Sequence, residues 1–319
     1  MKTIAATLIA AALTFAAPAQ GQDYPSKPIK IIVPYAAGGG TDIVARIVAL
    51  KLQERWSQST IVENRAGAGG GLGAEIVYTA PPDGHTLLFT AQSTLVVNPS
   101  LFEKLTYDPN KFVPVSLVMA AYSALLASPN VTANSLQELI AFAKANPGKL
   151  NYASLGIGSA AHLIAELFNS MAGVKINHVP YRGSGPAIND LVAGHVDLMF
   201  GELAPSYQHI NAGRLRALAV SSEKRIANLP NVPTVSEEVP GFTVTSWWAI
   251  MAPPGTPPAV ANKLSATVSE IVKQTDVSTR LSDMSMVPTG SSPADLLKFI
   301  KDEAERWGKV IRATGAKAQ

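Results

Sequence analysis

The stretch Ile29-Lys30-Ile31-Ile32-Val33-Pro34-Tyr35-Ala36-Ala37-Gly38-Gly39-Gly40-Thr41-Asp42 sets the architecture. Its first five residues are mostly β-branched, which favours an extended chain. Pro34 and three successive glycines stop that run. Thr41-Asp42 then fits the start of a helix: a Thr hydroxyl accepts from unpaired N–H groups, and Asp suits the positive dipole end. Ile43, Val44, Ile47, Val48 and Leu52 recur at helical spacing, so this helix buries one face. Strand, glycine turn and helix together open a parallel-sheet unit.

The same order repeats along the chain. Ile61-Val62 precedes the glycine-rich Gly67–Gly73 and a short helix; Pro81-Pro82-Asp83-Gly84 turns the chain into a strand at Thr86–Thr90. Leu150–Ser154, Ile176–Val179, Val196–Met199 and Arg216–Val220 read as further strands with helices between them. Two runs, Val115–Ala127 and Phe242–Met251, are long for single strands and bracket this second series. An inserted domain explains them. The expectation is an α/β protein of two lobes, each a mostly parallel sheet flanked by helices, joined by two crossing strands. Lobe 1 would comprise 20–118 plus 249–319, and lobe 2 would be 119–248. The alternative is one large sheet with two long central strands.

At 319 residues the chain suits about two domains, and its 47% hydrophobic content supports a real core. Lys plus Arg number 26 against 23 acids, a net charge of +3 scattered along the chain, which is no nucleic-acid footprint. The lack of cysteine excludes a disulfide scaffold, a thiolate metal site and a Cys nucleophile. At the N-terminus Met1-Lys2, the apolar Ile4–Ala17 and the small-x-small Ala17-Pro18-Ala19 form a signal peptide over 1–19. The apolar part is shorter than the roughly 20 residues that span a bilayer, so export to the periplasm is expected rather than anchoring.

Two strand–glycine-loop–helix junctions carry the chemistry, Tyr35–Thr41 and Ser154-Leu155-Gly156-Ile157-Gly158-Ser159. Glycines admit a ligand to the backbone N–H groups, and each helix start adds unpaired donors and partial positive charge. One such loop in each lobe would grip an anion from both sides. Gly156-x-Gly158-x-x-Ala161, with Arg182 after the next strand, also matches a dinucleotide pattern, so an NADP-dependent oxidoreductase is the alternative. Against it stand the exported compartment, the absence of a catalytic set, and a second match of that short pattern at Gly69-x-Gly71-x-x-Ala74. There is no G-x-S-x-G elbow and no paired metal spacing, so no catalytic residue, metal or cofactor is expected. His162 suits a structural role better than a ligand, and one of Trp247 and Trp248 is expected at the hinge.

Taken together, the signal peptide, Val33–Asp42, Glu63–Gly70, Tyr152–Ser159 and His178-Val179-Pro180-Tyr181-Arg182-Gly183-Ser184 resemble the tripartite tricarboxylate transporter receptors, the Bug-type periplasmic solute-binding proteins. The resemblance implies a hinged, two-lobed binding protein of the periplasmic type II kind. Such a protein presents a small carboxylate to the membrane permease subunits of a tripartite tricarboxylate-type transporter. It would be a non-catalytic monomer with no nucleic-acid partner. Carried onto this chain, the first loop places Tyr35, Ala36, Ala37, Gly39, Gly40, Thr41 and Asp42 at the ligand. The second supplies Ser154, Gly158, Ser159 and His162. Tyr181 and Gly183 approach from lobe 2, while Gln92 and Ser93 touch the variable end of the ligand. Ala37 and Ala66 stand where such receptors often have Pro.

Overall fold

A computed structural model describes residues 24–156, 159–181, 183–226 and 228–314. The signal peptide expected at 1–19 lies outside them. β1 (Ile29–Val33) runs through the glycine turn into α1 (Gly40–Trp56), as the sequence pattern predicts. The buried stripe of α1, Val44, Val48 and Leu52, packs with Ile29, Ile31 and Val33 of the strand. β2 (Thr60–Asn64), α2 (Gly71–Tyr78) and β3 (Thr86–Ala91) follow, and β2, β1 and β3 pair in parallel. Beyond β3 the chain makes a π-helical turn over Ser93–Val97 into the short α3 (Asn98–Leu101).

The run Val115–Ala127 proves to be two strands. It breaks at Tyr122 into β4 (Val113–Ala121) and β5 (Ser123–Ala127), which belong to different sheets. A chain changing sheets must turn its hydrogen-bonding edge to new partners, so the ladder is interrupted at the crossing. The second part then builds α4 (Leu136–Ala145), β6 (Asn151–Ser154), α5 (Ala160–Ala172), β7 (Asn177–Pro180) and α6 (Ser184–Ala193). β8 (Leu198–Glu202), α7 (Leu203–Asn211) and β9 (Arg216–Val220) complete it. β10 (Ser246–Ala252) returns to the first sheet, and α8 (Pro258–Lys273), α9 (Thr275–Asp283), β11 (Met286–Pro288) and α10 (Pro293–Thr314) close the chain.

Two sheets result, ordered β11-β4-β10-β3-β1-β2 and β7-β6-β8-β5-β9, which removes the single-sheet alternative. The parallel units expected of each are β2-β1-β3 and β7-β6-β8. The strands that follow a crossing, β5 and β10, run antiparallel to their neighbours. The extended run Phe242–Met251 enters the first sheet only at Ser246; its earlier part lies against the end of β9. There the two crossings meet at Ser221, which is buried. Its Oγ accepts from the Ser123 N–H at 3.0 Å and donates to the Val244 carbonyl at 2.7 Å.

The C-terminal helix ties the sheets together. Leu296, Ile300 and Trp307 of α10 share one apolar cluster with Leu95 and Val97 near the first sheet and with Leu163 and Phe168 of α5. Trp247 and Trp307 are fully buried, and both indole N–H groups donate to Glu303 Oε2 at 3.0 Å. Among the described residues no helix is long and apolar enough to cross a membrane.

Candidate functional site

A cavity of about 600 Å³ lies between the sheets, at the carboxyl ends of five strands. This is where open α/β sheets place ligands. Tyr35, Ala36 and Thr41 line it after β1, Ala66, Gly67, Gly69 and Gly70 after β2, and Gln92 and Ser93 after β3. The second sheet contributes Leu155, Ser159 and Ala160 after β6 and Glu202 at the end of β8. Trp247, Trp248, Leu101 and Phe102 form apolar wall.

Three helices begin at this cavity: α1, α2 and α5. The first N–H groups of a helix have no intrahelical partner and carry its positive dipole end. Gly39 before α1 makes no side-chain capping bond, so the first donors of α1 stay available, whereas at α2 the Gly71 and Leu72 N–H groups already donate to the Ala68 and Gly67 carbonyls. On α5, Ser159 Oγ takes one, the His162 N–H, at 3.3 Å. Among the described residues that line it none is cationic, and Glu202 is the sole carboxylate. The arrangement therefore attracts an anion through backbone dipoles.

The first turn is braced from behind. Asp42 is buried and its carboxylate accepts from the Gly38 N–H at 2.9 Å, Asn64 Nδ2 at 3.0 Å and Arg46 Nε at 3.0 Å. Burial alone would raise its pKa, but these donors outweigh it and hold the carboxyl below the usual aspartate range. Asn64 Nδ2 also reaches the Tyr35 carbonyl at 3.1 Å. Tyr35 Oη sits among Thr90 Oγ1, Ser93 Oγ and Thr94 Oγ1 at 3.2, 3.0 and 3.0 Å. Trp248 Nε1 donates to Thr41 Oγ1 at 2.8 Å, which leaves the Thr41 hydroxyl proton for another acceptor. The α2 turn fits tightly against this loop: a Cβ on Gly73 would lie 2.8 Å from Pro34 Cβ.

Of the residues singled out from sequence, Tyr35, Ala36, Thr41, Gln92, Ser93 and Ser159 line the cavity. Ala37, Gly39 and Gly40 lie in the same turn without lining it, and Asp42 faces the brace. Gln92 is almost wholly buried, with neither amide atom bonded to any described group. Gly158 and Arg182 lie outside the described residues. Ser154, His162, Tyr181 and Gly183 fall away from the cavity. Ser154 Oγ is 2.6 Å from His178 Nε2, and His178 stacks on His162 with ring centres 4.1 Å apart. Burial, and then the neighbouring His162, press the His178 pKa down to about 4. Tyr181 Oη donates to Asp190 Oδ2 at 2.8 Å, and Gly183 precedes α6 in a backbone conformation with φ of 117°.

Sequence reasoning did not name Ala66, Gly67, Gly69 and Gly70 as site residues, although their glycine density was visible. Asn98, Phe102, Trp248 and Glu202 carry no local motif. For Glu202 the available signal was its place between a strand and a helix.

The profile of the family described as "Tripartite tricarboxylate transporter family receptor" matches residues 44–316. Protein BugT of Bordetella pertussis is 40% identical over 305 residues, covering 95% of this chain and 94% of BugT. A solved R. palustris protein with adipate is 34% identical with a TM-score of 0.80, covering 92% of this chain and 99% of that one. MatC from Rhodopseudomonas palustris with bound malate is 35% identical with a TM-score of 0.76, covering 90% and 100%.

Proposed function

The chain belongs to the tripartite tricarboxylate transporter receptor family of periplasmic solute-binding proteins, which are not enzymes, and we propose that it captures a small organic carboxylate between its two sheets. Membership removes the NADP reductase reading. The observation that carries the proposal is the convergence of three helix N-termini on one cavity with no cation among its described lining residues.

The ligand carboxylate sits at the turn before α1, taking N–H donors there and the Thr41 hydroxyl, with the glycine turn before α2 alongside. Gln92 offers its unpaired amide, Ser93 flanks it, and the start of α5 with Ser159 meets the ligand from the other side. Ala37, Gly39 and Gly40, in the same turn, shape the approach to the ligand. The two lobes divide within a few residues of 118/119 and 248/249. They close about the crossings at Tyr122 and Ser246. The signal peptide over 1–19 directs export, and the monomeric, closed form docks on the permease subunits of a tripartite tricarboxylate-type transporter. Adipate and malate, found in the two solved relatives, mark the ligand class to try first.

A thermal-shift series of the mature protein against mono-, di- and tricarboxylates, with NADP alongside, tests this. Ligand at about 100 times its Kd stabilises by roughly 2.7 kcal/mol, a shift of several degrees. Silence from every acid refutes the proposal.

A further inference from the structure

Glu202 is a negative charge in a cavity otherwise built for an anion. It ends β8, opposite Ser123 at the first crossing. Its backbone carbonyl accepts from Ser206 Oγ at 2.7 Å, yet its carboxylate has no hydrogen bond or ion pair among the described residues and does not cap α7. The side chain is open to the cavity while protein walls surround it: Ser159 and Ala160 of the α5 start, Ser246 and Trp248 of β10, and Tyr122 and Met286 behind. None of these groups is cationic. Desolvation in this setting raises its pKa above the usual glutamate range.

Glu202 is exposed to the cavity, and among the described residues no side chain neutralises it. The helix N-termini at the first-sheet turns and Glu202 at the second-sheet wall therefore make the cavity bipolar. We infer that Glu202 selects the far end of the ligand: the cavity takes an acid that also carries a hydrogen-bond donor there, an ammonium or a hydroxyl, in preference to a second ionised carboxylate. This rests on the carboxylate reading of the cavity. An ammonium would complete a buried ion pair, and a hydroxyl would donate to the free oxygen. A second carboxylate would stand beside a like charge, which disfavours it.

The test is calorimetric titration of the mature protein and Glu202→Gln with ligands differing only at one end: adipate, 6-aminohexanoate, 6-hydroxyhexanoate and hexanoate, and the corresponding four-carbon set. The wild type should prefer the amino or hydroxy acid. Glu202→Gln should weaken the amino acid at least tenfold and improve the diacid. Because the Glu202 carboxylate makes no contact to lose, the ligand-free variant should melt at or above the wild type, separating specificity from misfolding. Tightest wild-type binding of the diacid, weakened in Glu202→Gln, would mean proton sharing between carboxyl groups and overturn the inference. Equal binding of all acids by both proteins would leave the carboxylate reading standing and overturn this one. Silence from every ligand would overturn both.

Discussion

Gly70→Ala probes the turn that joins the two first-sheet loops. Gly70 has φ of 93°, a conformation that costs a residue with a Cβ about 1–2 kcal/mol. The new methyl would lie 2.6 Å from Thr94 Oγ1, well inside contact distance, and 3.5 Å from Pro34 Cβ. Thr94 cannot swing away. It is fully buried, and its hydroxyl is shared with Thr90 Oγ1 at 2.8 Å and Tyr35 Oη at 3.0 Å. Overpacking of this kind costs about 1–3 kcal/mol. The expected loss is therefore about 2–5 kcal/mol, read as a lower midpoint in urea at unchanged slope. Ligand affinity should fall at least tenfold, because Tyr35 and the start of α2 move together. Thr94→Ala removes the atom that is struck, so the double mutant should lose less than the two singles combined, by about 1–2 kcal/mol. Stability within about 0.5 kcal/mol of wild type, or strict additivity in the cycle, would refute the reasoning.

Trp248→Phe deletes the donor to Thr41 Oγ1 and should cost about 1–2 kcal/mol of stability and weaken ligand several-fold; unchanged affinity would show that the Thr41 hydroxyl is not used. Ser221→Ala strands the Ser123 N–H and the Val244 carbonyl at the paired crossings, and urea melts should show a loss of about 1–3 kcal/mol. His178 has a folded pKa of about 4 against an ordinary 6.5, so between those values the unfolded chain binds the extra proton. Stability is then lost as pH falls from 6.5 toward 4 and changes no further below. The full shift corresponds to about 3.4 kcal/mol, which partial exposure of the ring reduces to about 1–2. His178→Gln should flatten that part of the pH–stability profile, and an unaltered slope would point to other groups.

The strand–turn–helix units were legible wherever short-range chemistry sets them. β9 matches the sequence reading at both ends. The break at Tyr122 was not, because periodicity reports that residues are buried and extended, not which sheet they join. α9 and β11 escaped notice: Thr275–Asp283 is polar, and three residues of strand leave no pattern. At the site, the glycines of the Tyr35 turn marked a loop that does line the cavity. Asp42 was placed there by position, yet its carboxylate turns inward to Gly38 and Arg46, an orientation fixed by tertiary partners. The second loop divides for a related reason. Ser154 and His162 flank it in sequence, but strand alternation and helix phase send their side chains into the stack with His178. Glu202 and Trp248 reach the cavity only because strands distant in sequence end beside one another.

A cavity proposed to hold an anion, with no cation among its described lining residues, has a consequence for release. One helix N-terminus contributes about 0.3–1 kcal/mol, and one hydrogen bond to a charged group about 1.5–3. Micromolar binding needs about 8 kcal/mol net, after the cost of association is met. With one helix end and two such bonds on each side, about 3–7 kcal/mol, neither the turns of the first sheet nor the start of α5 reaches that figure alone. Tight binding by the proposed receptor therefore requires donors from both sheets at once, which is the closed arrangement. Opening about Tyr122 and Ser246 removes the α5 contribution and leaves the ligand weakly held at the Tyr35 turn. An arginine there would grip the carboxylate in either state and slow its transfer. Backbone donors divided between two lobes make affinity depend on closure itself, so a membrane partner that pries the lobes apart discharges the ligand without touching it.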